Sequence, residues 1–171
     1  THSLGIPELR QAISDEYAAS CGIYIPPDRI IITNGSSAAF VLIFATLLEP
    51  GRTLALSDPG YPCYKNIALL TDCTIKPIEV SPETNYEILP QYLDETPWPD
   101  LLVIANPSNP TGAVYRPETV IALHQRMSVA GGLLVVDEIY SGLTYDIDFS
   151  STASISDDTV VVRGFSNAHP T

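Results

Sequence analysis

Five short apolar stretches of this 171-residue chain end in small, amide, acidic or aromatic residues. After Arg29–Thr33 comes Asn34-Gly35-Ser36-Ser37, and after Thr53–Ser57 comes Asp58-Pro59-Gly60-Tyr61-Pro62. Leu101–Ala105 leads into Asn106-Pro107-Ser108-Asn109-Pro110-Thr111-Gly112, Leu133–Val136 into Asp137-Glu138-Ile139-Tyr140, and Thr159–Arg163 into Gly164-Phe165-Ser166-Asn167. In open α/β sheets, ligands bind outside the carboxyl ends of the strands, so the convergence marks a candidate site. Each segment has a bland reading beside the chemical one. Gly35-Ser36-Ser37 could only cap a helix, or its free N–H groups and hydroxyls could hold a phosphate. Asp58-Pro59-Gly60 and Asn109-Pro110-Thr111-Gly112 are turn signals, and a tyrosine such as Tyr61 packs more often than it stacks on a ligand. Asp137 resists the bland reading, because an ionised carboxylate at the end of Leu-Leu-Val-Val is costly unless paired.

The elements that must position these residues follow from periodicity. Ile6 to Ser20 reads as an amphipathic helix, with Pro7 in its first turn, Gly22 beyond its end, and Ile6, Leu9, Ile13 and Tyr17 on one face. Pro26-Pro27 then breaks the chain. The five apolar runs read as strands buried on both faces, and Thr74–Val80 is a weaker sixth. Helices are predicted near Ser37–Leu48, Pro62–Thr71, Leu89–Glu95 and Pro117–Ala130. The alternation predicts an α/β domain with a mostly parallel sheet and right-handed crossovers. Residues 1–28 form the helix and lead-in to that sheet.

Composition narrows the function classes. With 45% hydrophobic and 16% charged residues, the chain reads as a globular domain large enough to bury a core. No apolar run approaches the roughly 20 residues of a membrane span, and the start has no signal-peptide pattern. A net charge of −12 with eight scattered basic residues argues against a nucleic-acid partner. Cys21, Cys63 and Cys73 have no CxxC spacing and read as free thiols of a reducing, cytoplasmic compartment. The absence of an initiator Met and the stop just after a strand read as a fragment of a longer protein.

Taken in order, these segments resemble the class I/II aminotransferases, fold-type I enzymes dependent on pyridoxal 5′-phosphate (PLP). Gly5-Ile6-Pro7-Glu8-Leu9-Arg10 is similar to their lead-in helix, Asn106–Gly112 (NPSNPTG) to their most specific signature, and Val136–Tyr140 (VDEIY) follows at the expected spacing. The resemblance covers essentially the whole chain. It implies the large domain of the PLP-dependent transferase fold, a three-layer αβα arrangement here incomplete, with about six of seven strands. The absent strand would be an antiparallel one lying between the first and last strands of this chain.

The resemblance also implies roles. Gly35, Ser36 and Ser37 would bind the PLP phosphate, with Ser166 reaching it from the last loop. Tyr61 would stack on the pyridine ring, and Asn109 and Tyr140 would donate hydrogen bonds to its 3′-oxygen. Asp137 would pair with the pyridinium nitrogen, keeping the ring an electron sink. The complete protein would be a homodimer transferring an amino group between an amino acid and a 2-oxo acid.

One position departs from the pattern. The family reads Ser-Lys-Ala-Tyr after the last strand, whereas this chain reads Ser166-Asn167-Ala168-His169, so Asn167 replaces the lysine that bonds covalently to the cofactor. An amide forms no imine and shuttles no proton, and loss of a general base alone forfeits about 10²–10⁴-fold in rate. Neither other lysine is placed to substitute: Lys65 is expected in a helix and Lys76 in a strand running away from the site. The expectation is a chain nearly inactive in transfer that binds PLP noncovalently, if at all. A PLP-binding or sensing pseudoenzyme domain and a related PLP-dependent lyase are the alternatives.

Overall fold

Leu101 and Val103 of one strand pack into one hydrophobic core while Leu102 and Ile104 pack into another, so the strand is covered on both faces. This strand, β3 (Leu101–Ala105), lies at the middle of a five-stranded sheet with β1 (Thr53–Asp58), β2 (Thr74–Glu79), β4 (Leu133–Asp137) and β5 (Val160–Val162). The computed structural model describes residues 2–94, 97–144 and 149–165. Strand order is β2-β1-β3-β4-β5, and every described pair is parallel. Parallel neighbours need crossovers, supplied by α3 (Pro62–Ala68) and α4 (Pro117–Val129), together with loops and short 3₁₀ turns.

The two cores make three layers. On one face Phe40, Phe44 and Leu48, from α2 (Ser36–Leu47) and its end, join Tyr64 and Ala68 of α3 against Leu54, Leu56, Val135 and Val162. On the other, Val120, Leu123 and Met127 of α4 cover Ala55, Leu102, Ile104, Leu134 and Val136. Phe44 is fully buried, and cutting such a ring back to alanine costs about 3–5 kcal/mol. The αβα architecture is as expected.

Three expectations are corrected. The run Arg29–Thr33 is not a strand: Pro27–Arg29 is a 3₁₀ turn, and the segment beyond it lies outside the sheet. Its described backbone ties are local turns, Arg29 N–H to Pro26, Ile30 N–H to Pro27 and Gly35 N–H to Thr33, together with one bond from the Ile32 N–H to the Leu4 carbonyl. A strand needs a ladder partner, and none of the described residues supplies one. The sheet therefore has five strands rather than six. The helix predicted at Leu89–Glu95 shortens to a 3₁₀ turn at Pro90–Leu93 (Glu95 lies outside the described residues). Four residues give too few backbone bonds to repay helix nucleation.

The helix α1 (Pro7–Cys21) forms as predicted, with Pro7 at its start and Gly22 in the left-handed conformation at its end. Its apolar face is only partly covered, however, and Ile6 is 62% exposed. Leu9, Ile13 and Tyr17 instead line a cleft of about 710 Å³ whose other walls include Ile30, Ile32 and Val161. That cleft separates β5 from the run that sequence assigned to the sheet.

Candidate functional site

Asp137 ends β4 and is 2% exposed. Alternation along the strand puts it on the face of Val135, towards α2 and α3. Its Oδ1 accepts the Ile139 N–H at 3.1 Å and its Oδ2 accepts the Tyr64 hydroxyl at 2.5 Å. Burial pushes the carboxyl above its ordinary range, and those two hydrogen bonds oppose the rise. Among the described residues no cation pairs with it. A buried carboxylate with two neutral donors and no countercharge suits a cationic ligand group.

Tyr61 and Tyr64 stand one turn apart at the start of α3. Their ring centroids are 5.3 Å apart at 80°, edge to face. Phe40 of α2 lies on the other side, 4.6 Å from the Tyr64 ring. Tyr61 is half-buried, and its phenol is pushed up, first by its hydrogen bond to Cys63, with Tyr140 and Asp137 adding to the effect. Tyr61, Tyr64, Asp137 and Tyr140 thus form one electrostatic neighbourhood. The loop before Tyr61 is tight: a Cβ on Gly60 would stand 2.4 Å from the Ser57 carbonyl oxygen.

Gly35 precedes α2 with φ +83°, a conformation other residues adopt only with strain. Ser36 and Ser37 are the first two helical residues, and no side chain caps the helix. Their N–H groups sit at the positive end of the helix dipole, where an anion is favoured. Gly35 and Ser36 border the large cleft together with Ile139 and Gly164.

Asn109 lies in a loop closed by two backbone hydrogen bonds, Ser108 N–H to Ala113 O and Gly112 N–H to Ser108 O, both 2.8 Å. Its base is Asn106, buried and bonded through its N–H to the Asp137 carbonyl. Tyr140 opens a 3₁₀ turn after β4. Just before it, the buried Glu138 accepts hydrogen bonds from the Ser151 hydroxyl and from the Thr152 N–H and hydroxyl. The bonds Asp58–Pro59, Asn106–Pro107 and Asn109–Pro110 are cis, all in loops that follow strands.

The described geometry brings Tyr61, Asp137 and Tyr140 together and sets Gly35, Ser36 and Ser37 at the start of the helix on the same face. Ser166, Asn167 and His169 lie outside the described residues. Lys65 is exposed on α3, and Lys76 stands on the edge strand β2 opposite Ala55. Sequence reading missed Tyr64, Asn106 and Glu138. For Tyr64 the signal was its three-residue spacing from Tyr61, which puts both on one helix face.

The family described as "Aminotransferase class I and II" matches residues 1–169. The chain is 39% identical over 167 residues to valine–pyruvate aminotransferase of Mycobacterium tuberculosis, covering 96% of this chain and 43% of that protein. It is 30% identical over 165 residues to a probable aspartate aminotransferase of Methanocaldococcus jannaschii, covering 96% and 44%. A crystal structure of an aminotransferase from M. tuberculosis superposes with a TM-score of 0.93 at 38% identity, over 97% of this chain and 44% of that one. The chain spans under half the length of these relatives.

Proposed function

Because the chain belongs to the class I and II aminotransferase family, we propose that it is the larger part of a PLP-binding domain. The complete protein is read as a cytoplasmic homodimer that moves an amino group between an amino acid and a 2-oxo acid. One relative is named for valine and pyruvate, another for aspartate, so the proposal stops at that substrate class. Asp137 carries the reading: it is a carboxylate 2% exposed, with no described cation, beside two tyrosines at the carboxyl end of a parallel strand.

The described residues fit PLP. The uncapped start of α2 at Gly35, Ser36 and Ser37 would take its phosphate, with Ser166 as a further donor. Tyr61 would stack on the ring, contributing about 0.5–1.5 kcal/mol beyond buried area. Asn109 and Tyr140 would donate to the ring hydroxyl oxygen, and Asp137 would hold a proton on the ring nitrogen through a charge-assisted hydrogen bond. Bound PLP would supply an aldehyde to take up the amino group and a ring to accept electrons. Asn167 can neither bond to that aldehyde nor move a proton. The proposal is therefore noncovalent binding, with transfer absent or nearly so.

Asn167 also favours a second reading, a PLP-binding or sensing domain without catalysis. One experiment addresses the pocket in both. The chain and an Asn167→Lys variant are mixed with PLP, reduced with borohydride, and weighed intact. A stoichiometric adduct on the variant alone supports a formed pocket that lacks its lysine. No adduct on either rejects pocket assembly by this chain. Equal adducts on both, rising with excess PLP, mean surface labelling of Lys65 or Lys76.

A further inference from the structure

Tyr64 touches three parts of the candidate site at once. Its hydroxyl donates to Asp137 Oδ2 at 2.5 Å, the Tyr61 ring meets it edge to face at 5.3 Å, and Phe40 packs on it at 4.6 Å. Phe40 stands on the first turns of α2, four residues after Ser36. Tyr64 is 5% exposed and offers no surface for a ligand of its own. A fold needing only an apolar filler would be served by phenylalanine. The hydroxyl has one described partner, the Asp137 carboxylate. Resting on the PLP reading above, we propose that Tyr64 is a positioning residue: it orients the Asp137 carboxylate, keeps it ionised for a cationic ring nitrogen, and backs the Tyr61 ring.

The chemistry sets the direction. A hydroxyl donating to a carboxylate favours the ionised form, and burial disfavours it. Burial wins at Asp137, whose acidity is already weakened, so removal of the Tyr64 donor weakens it further. Tyr64 and Tyr61, at the start of α3, face Asp137, Tyr140 past the strand end faces those two tyrosines, and Cys63 faces Tyr61. The neighbouring Glu138 carboxylate is occupied by Ser151 and Thr152. Tyr64 supplies the only described side-chain donor to Asp137, and Phe in its place keeps the ring contacts. The Tyr64 phenol is itself pushed up, by burial first and then by the Asp137 charge and hydrogen bond.

The test uses the chain as it exists beside Tyr64→Phe. The first readout is the Asp137 carboxyl carbon, followed by NMR against pH without cofactor. The second is equilibrium binding of PLP by its absorbance. The expected result is an Asp137 titration displaced to higher pH in Tyr64→Phe. PLP binding should weaken about tenfold in Tyr64→Phe, as loss of one hydrogen bond to a charged group implies. An unmoved Asp137 titration overturns the proposal whatever PLP does. A displaced titration with equal PLP binding by both chains overturns the role towards the ring. A displaced titration with no PLP binding even by the unaltered chain rejects the PLP reading and leaves the effect on Asp137 standing. If Tyr64→Phe does not fold, the unaltered chain gives the measurement: the Tyr64 ring carbon that bears the hydroxyl should shift in step with the Asp137 titration, and a ring carbon that does not follow it overturns the proposal.

Discussion

The side-chain oxygen of Asn106 accepts the Tyr115 backbone N–H at 2.9 Å, out of contact with water. The Asn106 N–H in turn donates to the Asp137 carbonyl at 2.8 Å, and the Tyr115 hydroxyl accepts the Ile88 N–H at 3.0 Å. One asparagine thereby joins the foot of the 106–112 loop to the end of β4. The loop holding Asn109 and the strand holding Asp137 share a fixed origin, which keeps two proposed ring contacts in register.

Asn106→Ala should destabilise the chain by about 1–3 kcal/mol, because the Tyr115 N–H is left buried without an acceptor. The midpoint of urea unfolding reads the loss. Hydrogen exchange at residues 108–113 should quicken more than at β3 if the asparagine anchors the loop. Uniform quickening would mean that it supports only the core.

Much of this arrangement was legible in the sequence because most strands are continuously apolar and each stops at a polar residue. Leu-Leu-Val-Val-Asp places β4 and its buried acid together, and the NPSNPTG run marks the loop after β3. The failure at Arg29–Thr33 has a physical cause. Ile30-Ile31-Ile32 has the composition of a strand, but strand formation depends on hydrogen bonds from residues distant in sequence. Tyr64 was hidden for a related reason: its partner Asp137 is 73 positions away. Helical spacing from Tyr61 could have given its face but not its bond.

Stability should pass through a maximum on the acid side of neutrality. Glu138 and Asp137 are held above their ordinary ranges, in each case first by burial. The folded chain therefore binds protons more readily than the unfolded chain at these two sites. Their contribution falls as pH rises through the folded values. At Asp100, burial pushes up but is outweighed by the Arg52 hydrogen bond, the Thr53 N–H and the Arg52 charge, leaving the carboxyl below its ordinary 3.8. Its contribution is present above that value and fades as pH falls through the folded one. Urea midpoints measured across this range should show less acid-side gain in Glu138→Gln and less acid-side loss in Asp100→Asn. Parallel profiles in all three chains would remove both assignments.

The uncovered cleft should make the chain self-associate. One edge of β5 faces it without a described strand partner, and Ile31 on the opposite wall is 57% exposed. Unpaired strand edges beside apolar surface invite pairing between chains. Light scattering should rise with concentration, and Ile31→Lys should reduce it by placing a charge at that wall. Equal association by both chains would place the contact on another surface.

Gly60 sets the height of Tyr61. A methyl group there would press on the Ser57 carbonyl at 2.4 Å and on the Ser57 hydroxyl at 2.9 Å. The carbonyl belongs to β1 and cannot yield, so in Gly60→Ala the loop must move and carry Tyr61 with it. Overpacking of this kind costs about 1–3 kcal/mol. Displacement of the stacking ring should also weaken PLP binding several-fold, up to roughly tenfold if the whole aromatic contact of about 0.5–1.5 kcal/mol is lost. Binding by absorbance and thermal unfolding, measured on the same preparation, separate the two effects. Lower stability with undiminished binding would mean that Tyr61 does not meet the ring. Weaker binding by a chain that unfolds normally would mean that the loop positions the tyrosine and contributes little to the fold.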